Sequence, residues 1–229
     1  MDGRLFTFLG LLGGHSQEWL VLSHFILTAI IVLILAYLAT RKMLLVPHAY
    51  QNLLEATIDG ILAMGTDTMG AKNARVYLPL IGTLALVIFV ANMIGVIPGF
   101  EAPTANINFT LSLALLVFVY YNYLGIRKNG FFKYFGHFMG PMPILAPLMF
   151  PVEVISHFSR IISLSFRLFG SIKGDDMFLM VLLMLVPWLL PFAGFFALTV
   201  FGVLQAFVFS ILTYVYISGS IMIDEEGHE

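Results

Sequence analysis

Along the chain, apolar runs long enough to cross a bilayer alternate with short polar stretches that end them. A hydrocarbon core about 30 Å thick takes roughly 20 apolar residues in a helix. Trp19–Leu38 is the first such run and stops at Thr40, Arg41 and Lys42. Val76–Ile97 is the second, closed by Pro98-Gly99, and Ile107–Ile126 is the third, closed by Arg127 and Lys128. From Pro151 to Pro191 the chain stays mostly apolar yet carries Glu153, Arg160, Arg167, Lys173, Asp175 and Asp176. A last run, Phe192–Ile223, ends in the acidic tail Asp224, Glu225, Glu226 and Glu229. Residues Met43–Gly70 follow a different pattern. Leu53, Leu54, Ile58, Ile61, Leu62 and Met64 recur near helical spacing, with Gln51, Glu55, Asp59 and Asp67 between them. That predicts an amphipathic helix on the cytoplasmic surface or packed beside the bundle. Leu5–Leu12 is too short to span, and with no small-residue cleavage site behind it, it is expected to be retained.

The pattern predicts an all-α polytopic membrane protein in one integral membrane domain, residues 1–229. About five helices cross, the amphipathic helix lies on the cytoplasmic side, and residues 151–223 form a long hairpin. Basic residues set the orientation. Arg41, Lys42, Lys72 and Arg75 bracket the first long loop, and Arg127, Lys128 and Lys133 begin the second. The connection Pro98–Asn106 carries only Glu101. Both basic loops therefore face the cytoplasm, with the N-terminus outside and the C-terminus inside.

Composition narrows the function. Apolar side chains make up 60% of the chain and charged ones 10%, against about 25% charged in soluble proteins. With no cysteine, disulfides, thiolate metal sites and cysteine nucleophiles are excluded. A net charge of −2 with 11 basic residues argues against a nucleic-acid partner. No two histidines have metal-ligand spacing, and the aromatic residues read as packing, so no metal and no cofactor is expected. His24 reads as a helix–helix hydrogen bond, and His137 and His157 as structural, with His157 near enough to the inner surface to titrate.

Charges at bilayer depth are expensive, so they mark function. Glu153, Arg160 and Arg167 stand seven residues apart, and seven steps of about 100° return within roughly 20° of two full turns. They share one face, joined by Ser156, Ser163, Gly170, Ser171 and Gly174, while Ile155, Ile161, Phe166 and Phe169 make the greasy side. Small residues around an arginine let another helix approach. Asp176 lies about 180° round a continuous helix from Arg167, and Glu153 about 21 Å along it. Neither reaches the guanidinium, and no other span carries a mid-membrane carboxylate. The counter-charge is expected from another protein. Lys173 is expected to snorkel to an interface. Arg160 has three alternatives: snorkelling to an interface, pairing with Glu153 through water, or contacting another subunit. Glu153 also reads as a plain cap of a helix starting at Pro151.

The run Ser165-Phe166-Arg167-Leu168-Phe169-Gly170-Ser171-Ile172-Lys173-Gly174-Asp175-Asp176 resembles the signature of bacterial F-type ATP synthase subunit a, in which an arginine precedes Leu-Phe-Gly. Leu204-Gln205-Ala206-Phe207-Val208-Phe209 and Leu212-Thr213-Tyr214-Val215-Tyr216 resemble that family's last helix. Asn92-Met93-Ile94-Gly95-Val96-Ile97-Pro98-Gly99 and Pro103-Thr104-Ala105-Asn106-Ile107-Asn108-Phe109-Thr110-Leu111 are similar to its second and third spans. The resemblance implies a bacterial inner-membrane stator subunit, non-catalytic by itself, whose tilted hairpin lies against a ring of c subunits. The b subunits of the peripheral stalk, the rest of the synthase and membrane lipid are the other partners it implies. Carried over, Arg167 separates two aqueous half-channels and meets each ring carboxylate. Glu153, Ser156 and Ser163 then match the inner half-channel, Asp176 the outer acid, and Gln205 a glutamine near the arginine. Ser171 stands where Asn is frequent after Leu-Phe-Gly, Asn106 where an acid often occurs, and Leu198 where some members have histidine.

Two other classes compete. An autonomous secondary transporter or channel would show inverted repeats and broken helices near a midplane site, and the first three spans have no such correspondence with the last two. An intramembrane enzyme would need a nucleophile–base pair or clustered carboxylates, and the chain offers neither.

Overall fold

The computed structural model describes residues 17–40, 49–97, 99–130, 134, 146–185 and 190–221. Among these the chain is helical: α1 is Gln17–Thr40, α2 Ala49–Val96, α3 Ile107–Asn129, α4 Ala146–Leu185 and α5 Leu190–Ile221, with a short 3-10 turn at Pro103–Ala105. The predicted Leu5–Leu12 segment, the basic residues Arg41, Lys42 and Lys133, His137 and the acidic tail fall outside the described residues. Four segments are long and apolar enough to cross a membrane: Val21–Leu38, Leu54–Val96, Ile107–Asn129 and Gly194–Ile221. The helix α4, which carries the charges, is the fifth long element of the expected set.

The amphipathic helix and the second span, which together make up α2, are two helical halves separated at Gly70 (φ 79°, ψ 155°), the residue at which the amphipathic pattern is expected to end. That backbone conformation is open to glycine and strained for any residue with a Cβ. The bend at Gly70 folds α2 back on itself. Gly60 faces Phe207 and Gly65 faces the Tyr214 ring, and Ser218 Oγ donates to the Thr68 carbonyl at 3.3 Å, so this half runs parallel to α5. Asn92 then reaches the Gly202 carbonyl at 3.1 Å, so the second half returns along α5. One boundary differs from expectation, that of α4, which begins at Ala146, so Pro151 lies inside it. Glu153 is therefore in the helix body and caps nothing.

Local chemistry explains the remaining ends. Asn106 caps α3 by accepting from the Asn108 N–H at 2.9 Å. Gly130, at φ 79°, closes α3, its N–H donating to the Ile126 carbonyl. Arg127 and Lys128 in the last turn complement the helix dipole. The core lies where α2, α3, α4 and α5 meet, built from Ile81, Ile88, Tyr121, Leu164, Leu168, Phe209, Tyr214 and Ile217, all buried. Polar ties fix the helix registers within it. Thr110 and Ser165 hydroxyls are 3.1 Å apart between α3 and α4, and Asn129 Nδ2 donates to the Ser220 carbonyl at 3.0 Å. Thr104 donates to Asn92 Oδ1 at 2.7 Å, which joins the 3-10 turn to α2. Such bonds pair polar groups that apolar surroundings would otherwise make costly, while Asn129 Oδ1 and the Tyr214 hydroxyl have no hydrogen-bond partner among the described residues.

Candidate functional site

The helix α4 is unbroken from Ala146 to Leu185, so the angular argument from the sequence holds along its whole length. Leu164, Ser165 and Leu168 face the core and are buried, which turns Arg167 outward. Arg167 is exposed, and among the described residues it takes part in no ion pair or hydrogen bond. Ser163, Gly170 and Gly174 are exposed beside it, and a Cβ added at either glycine would meet no atom within 4 Å. A permanent cation thus stands on an open stripe of small residues, with Phe166 55% exposed and Ile162 57% exposed at its edge.

Beyond Arg167 the two acids separate. Asp175 lines a cavity of about 180 Å³ between α4 and α5, with Ser171, Gln205, Phe201, Leu204 and Val208. Asp176 lies on another side of the helix, where its Oδ2 is 3.9 Å from Lys173 Nζ. Lys173 also lies 3.5 Å from Glu101 Oε1, so it is ion-paired to the connection before the 3-10 turn. The Glu101 N–H in turn donates to His24 Nε2 at 3.2 Å. Gln205 Nε2 is buried without a hydrogen-bond partner among the described residues, and Gln205 makes no bond to Arg167. The Ser171 hydroxyl donates to the Leu168 carbonyl at 3.1 Å.

At the other end of the same face, Glu153 and Ser156 are half-buried and Ser163 is exposed. Glu153 Oε1 sits 3.6 Å from His157 Nε2. The Arg160 guanidinium carbon lies over the Tyr216 ring, 5.4 Å from the centroid. The Tyr121 hydroxyl and His157 Nδ1 are 2.9 Å apart. The Tyr134 hydroxyl donates to Asn122 Oδ1 at 2.8 Å; burial pushes its phenol up to about 12, so it stays a donor at ordinary pH.

Comparison with known proteins covers almost all of this architecture. The family model described as ATP synthase A chain matches residues 21–218. The chain belongs to the ATP synthase A chain family. It is 75% identical over 228 residues to the ATP synthase subunit a of Aliarcobacter butzleri, with 100% of each chain covered. The subunit a of Helicobacter hepaticus is 59% identical over 226 residues, covering 99% of this chain and 100% of that one. The subunit a of Campylobacter concisus is 57% identical over 225 residues, covering 98% and 99%. Membership fits an all-helical membrane protein with apolar spans, the class read from composition alone.

Three neighbours of the expected site residues do not stand out in the sequence. Asp175 adjoins Asp176, yet an angular count from Arg167 puts it about 80° away and Asp176 about 180°. The spacing of Glu153 and His157, one helical turn, was also available. Tyr121 gave no signal, because a tyrosine inside an apolar span reads as packing until the neighbouring helix is in place.

Proposed function

We propose that this chain is the ion-conducting stator subunit of the membrane sector of a rotary ATP synthase, non-catalytic by itself. The observation that carries the reading is Arg167: exposed on a stripe of small residues, without an acid among the described residues. A guanidinium does not discharge itself by losing a proton, and lipid offers it no counter-charge. A ring of c subunits, each with a membrane carboxylate, supplies one. Every carboxylate that arrives opposite Arg167 is held ionised there, gives its proton to one half-channel and takes another from the second. Away from Arg167 the carboxylate stays neutral, because a bare charge facing lipid is costly. One elementary charge crossing 100 mV is worth about 2.3 kcal/mol, so the arginine also prevents a leak that would waste that energy.

Glu153, Ser156 and Ser163 line the inner half-channel. On the outer side Asp176, with Lys173 and Glu101, stands at the mouth, and Asp175, Ser171 and Gln205 stand at the ring-facing end. The transported ion is H⁺. The chain sits in the bacterial inner membrane with its N-terminus outside and C-terminus cytoplasmic, beside the b subunits of the peripheral stalk. The test is Arg167→Ala or Arg167→Gln in the whole synthase. Proton-driven ATP synthesis in membrane vesicles is expected to vanish, while the detached soluble sector still hydrolyses ATP. Normal synthesis in either variant would overturn the role.

A further inference from the structure

Glu153, His157 and Tyr121 form a polar line across the contact between α4 and α3, and the mechanism above uses only its carboxylate. His157 is 8% exposed and Tyr121 1%, so the imidazole and the phenol sit where polar groups need protein partners. Their rings stack with centroids 5.7 Å apart, the Tyr121 hydroxyl lies 2.9 Å from Nδ1, and Nε2 lies 3.6 Å from Glu153 Oε1. At 3.6 Å the carboxylate lies just beyond hydrogen-bond length, so it acts by its charge, which favours the hydrogen on the nitrogen that faces it. In the neutral ring the other nitrogen is then bare, and the Tyr121 hydroxyl donates to it. Tyr121 thereby selects the tautomer that turns an N–H toward Glu153. The other charged and titratable groups nearby are Arg160, stacked on Tyr216 of α5, Tyr216 itself, 6.2 Å between centroids from Tyr121, and Tyr134, bonded to Asn122.

We propose that His157 is a positioning residue for proton exchange at Glu153, orienting the carboxylate through an Nε2–H contact that Tyr121 enforces. The inference rests on Glu153 belonging to the ion path. A proton from channel water binds a Glu153 carboxylate oxygen and leaves again to water or toward the ring, while His157 keeps its own proton throughout. The order of groups, hydroxyl to imidazole to carboxylate, spans two helices, so movement of α3 against α4 at this point changes how Glu153 is presented.

The test uses the whole synthase in inverted membrane vesicles, where the external pH acts on the Glu153 side and ATP-driven pumping is followed by fluorescence quenching. His157→Leu and Tyr121→Phe are expected to move the acid limb of the pumping profile to higher pH by about one unit, because a carboxylate that no longer faces the positive end of an N–H releases protons less readily. His157→Gln, whose amide can both accept from Tyr121 and donate to Glu153, is expected to restore most of that shift. A profile unmoved in both His157→Leu and Tyr121→Phe overturns the proposal, as does a uniform loss of pumping at every pH, which marks a packing role alone. If His157→Leu fails to assemble, Tyr121→Phe, which removes one hydroxyl and no volume, decides the outcome by the same criterion. Glu153→Gln separates this inference from its premise: full pumping in that variant removes Glu153 from the ion path, whereas reduced pumping there with an unmoved His157→Leu profile sinks the positioning role by itself.

Discussion

Asp175 and Asp176 illustrate how a single step of about 100° along a helix decides what a side chain meets. Asp176 matches the family pattern, yet on an unbroken α4 it faces Lys173 at 3.9 Å, and Asp175 faces the cavity with Gln205. A carboxylate that lines a cavity next to a buried, unpaired amide donor has more to lose than one already paired with an exposed lysine, since exposed ion pairs contribute little. Asp175→Asn is therefore expected to lower ATP-driven pumping about tenfold, and Asp176→Asn about twofold or less. Measuring initial quenching rates in vesicles with matched synthase content checks the order; the reverse order would return the role to Asp176. The charge of Arg167 was legible from the sequence as a cation without an acid within reach. That Asp175 and Gln205 meet in one cavity was not, because it depends on how α5 is rotated against α4.

Helix contacts here depend on absent side chains as much as on present ones. The first half of α2 lies against α5 because Gly65 admits the Tyr214 ring, whose nearest atom would stand 2.5 Å from an added Cβ. Tyr214 is fully buried, so it has no free volume to move into. Gly65→Ala is expected to destabilise this contact by about 1–3 kcal/mol, the usual cost of overpacking, and Gly65→Leu to prevent stable assembly. The level of subunit retained in membranes after a temperature step is the measurement; retention equal to wild type in Gly65→Leu would show that the contact is dispensable. Periodicity made these helices legible, including the apolar stripe through Leu54, Ile58, Ile61 and Leu62. It also drew a boundary between an amphipathic helix and a second span, and the backbone leaves the helical region there, at Gly70. A glycine inside a helical pattern is ambiguous from sequence, since the same residue serves as a packing gap or a hinge.

The hairpin at Gly70 also sets how the bundle is assembled, with α5 flanked by both halves of α2. The absence of cysteine allows this arrangement to be tested with an introduced pair. Thr68→Cys combined with Ser218→Cys is expected to form a disulfide on mild oxidation, because Ser218 Oγ lies 3.3 Å from the Thr68 carbonyl. The band shift on a non-reducing gel reports it, and a partner cysteine at Glu55, far from residue 218 along the helix, serves as the control. No crosslink at 68–218 would detach the amphipathic half from α5 and leave it on the membrane surface.

What the amino-acid order determined by itself was set by energies that act locally: apolar length against bilayer thickness, the cost of a charge in lipid, and the 100° step that lines Glu153, Arg160 and Arg167 along one face. These made the class, the spans and the lone cation readable one segment at a time. Only the tertiary structure decided what each polar group meets: Lys173 with Glu101, His157 with Tyr121, Arg160 over Tyr216, Asp175 beside Gln205. Those pairings join residues far apart in the chain, and their formation depends on the rotation and depth of one helix against the next, which the packing of all of them settles together.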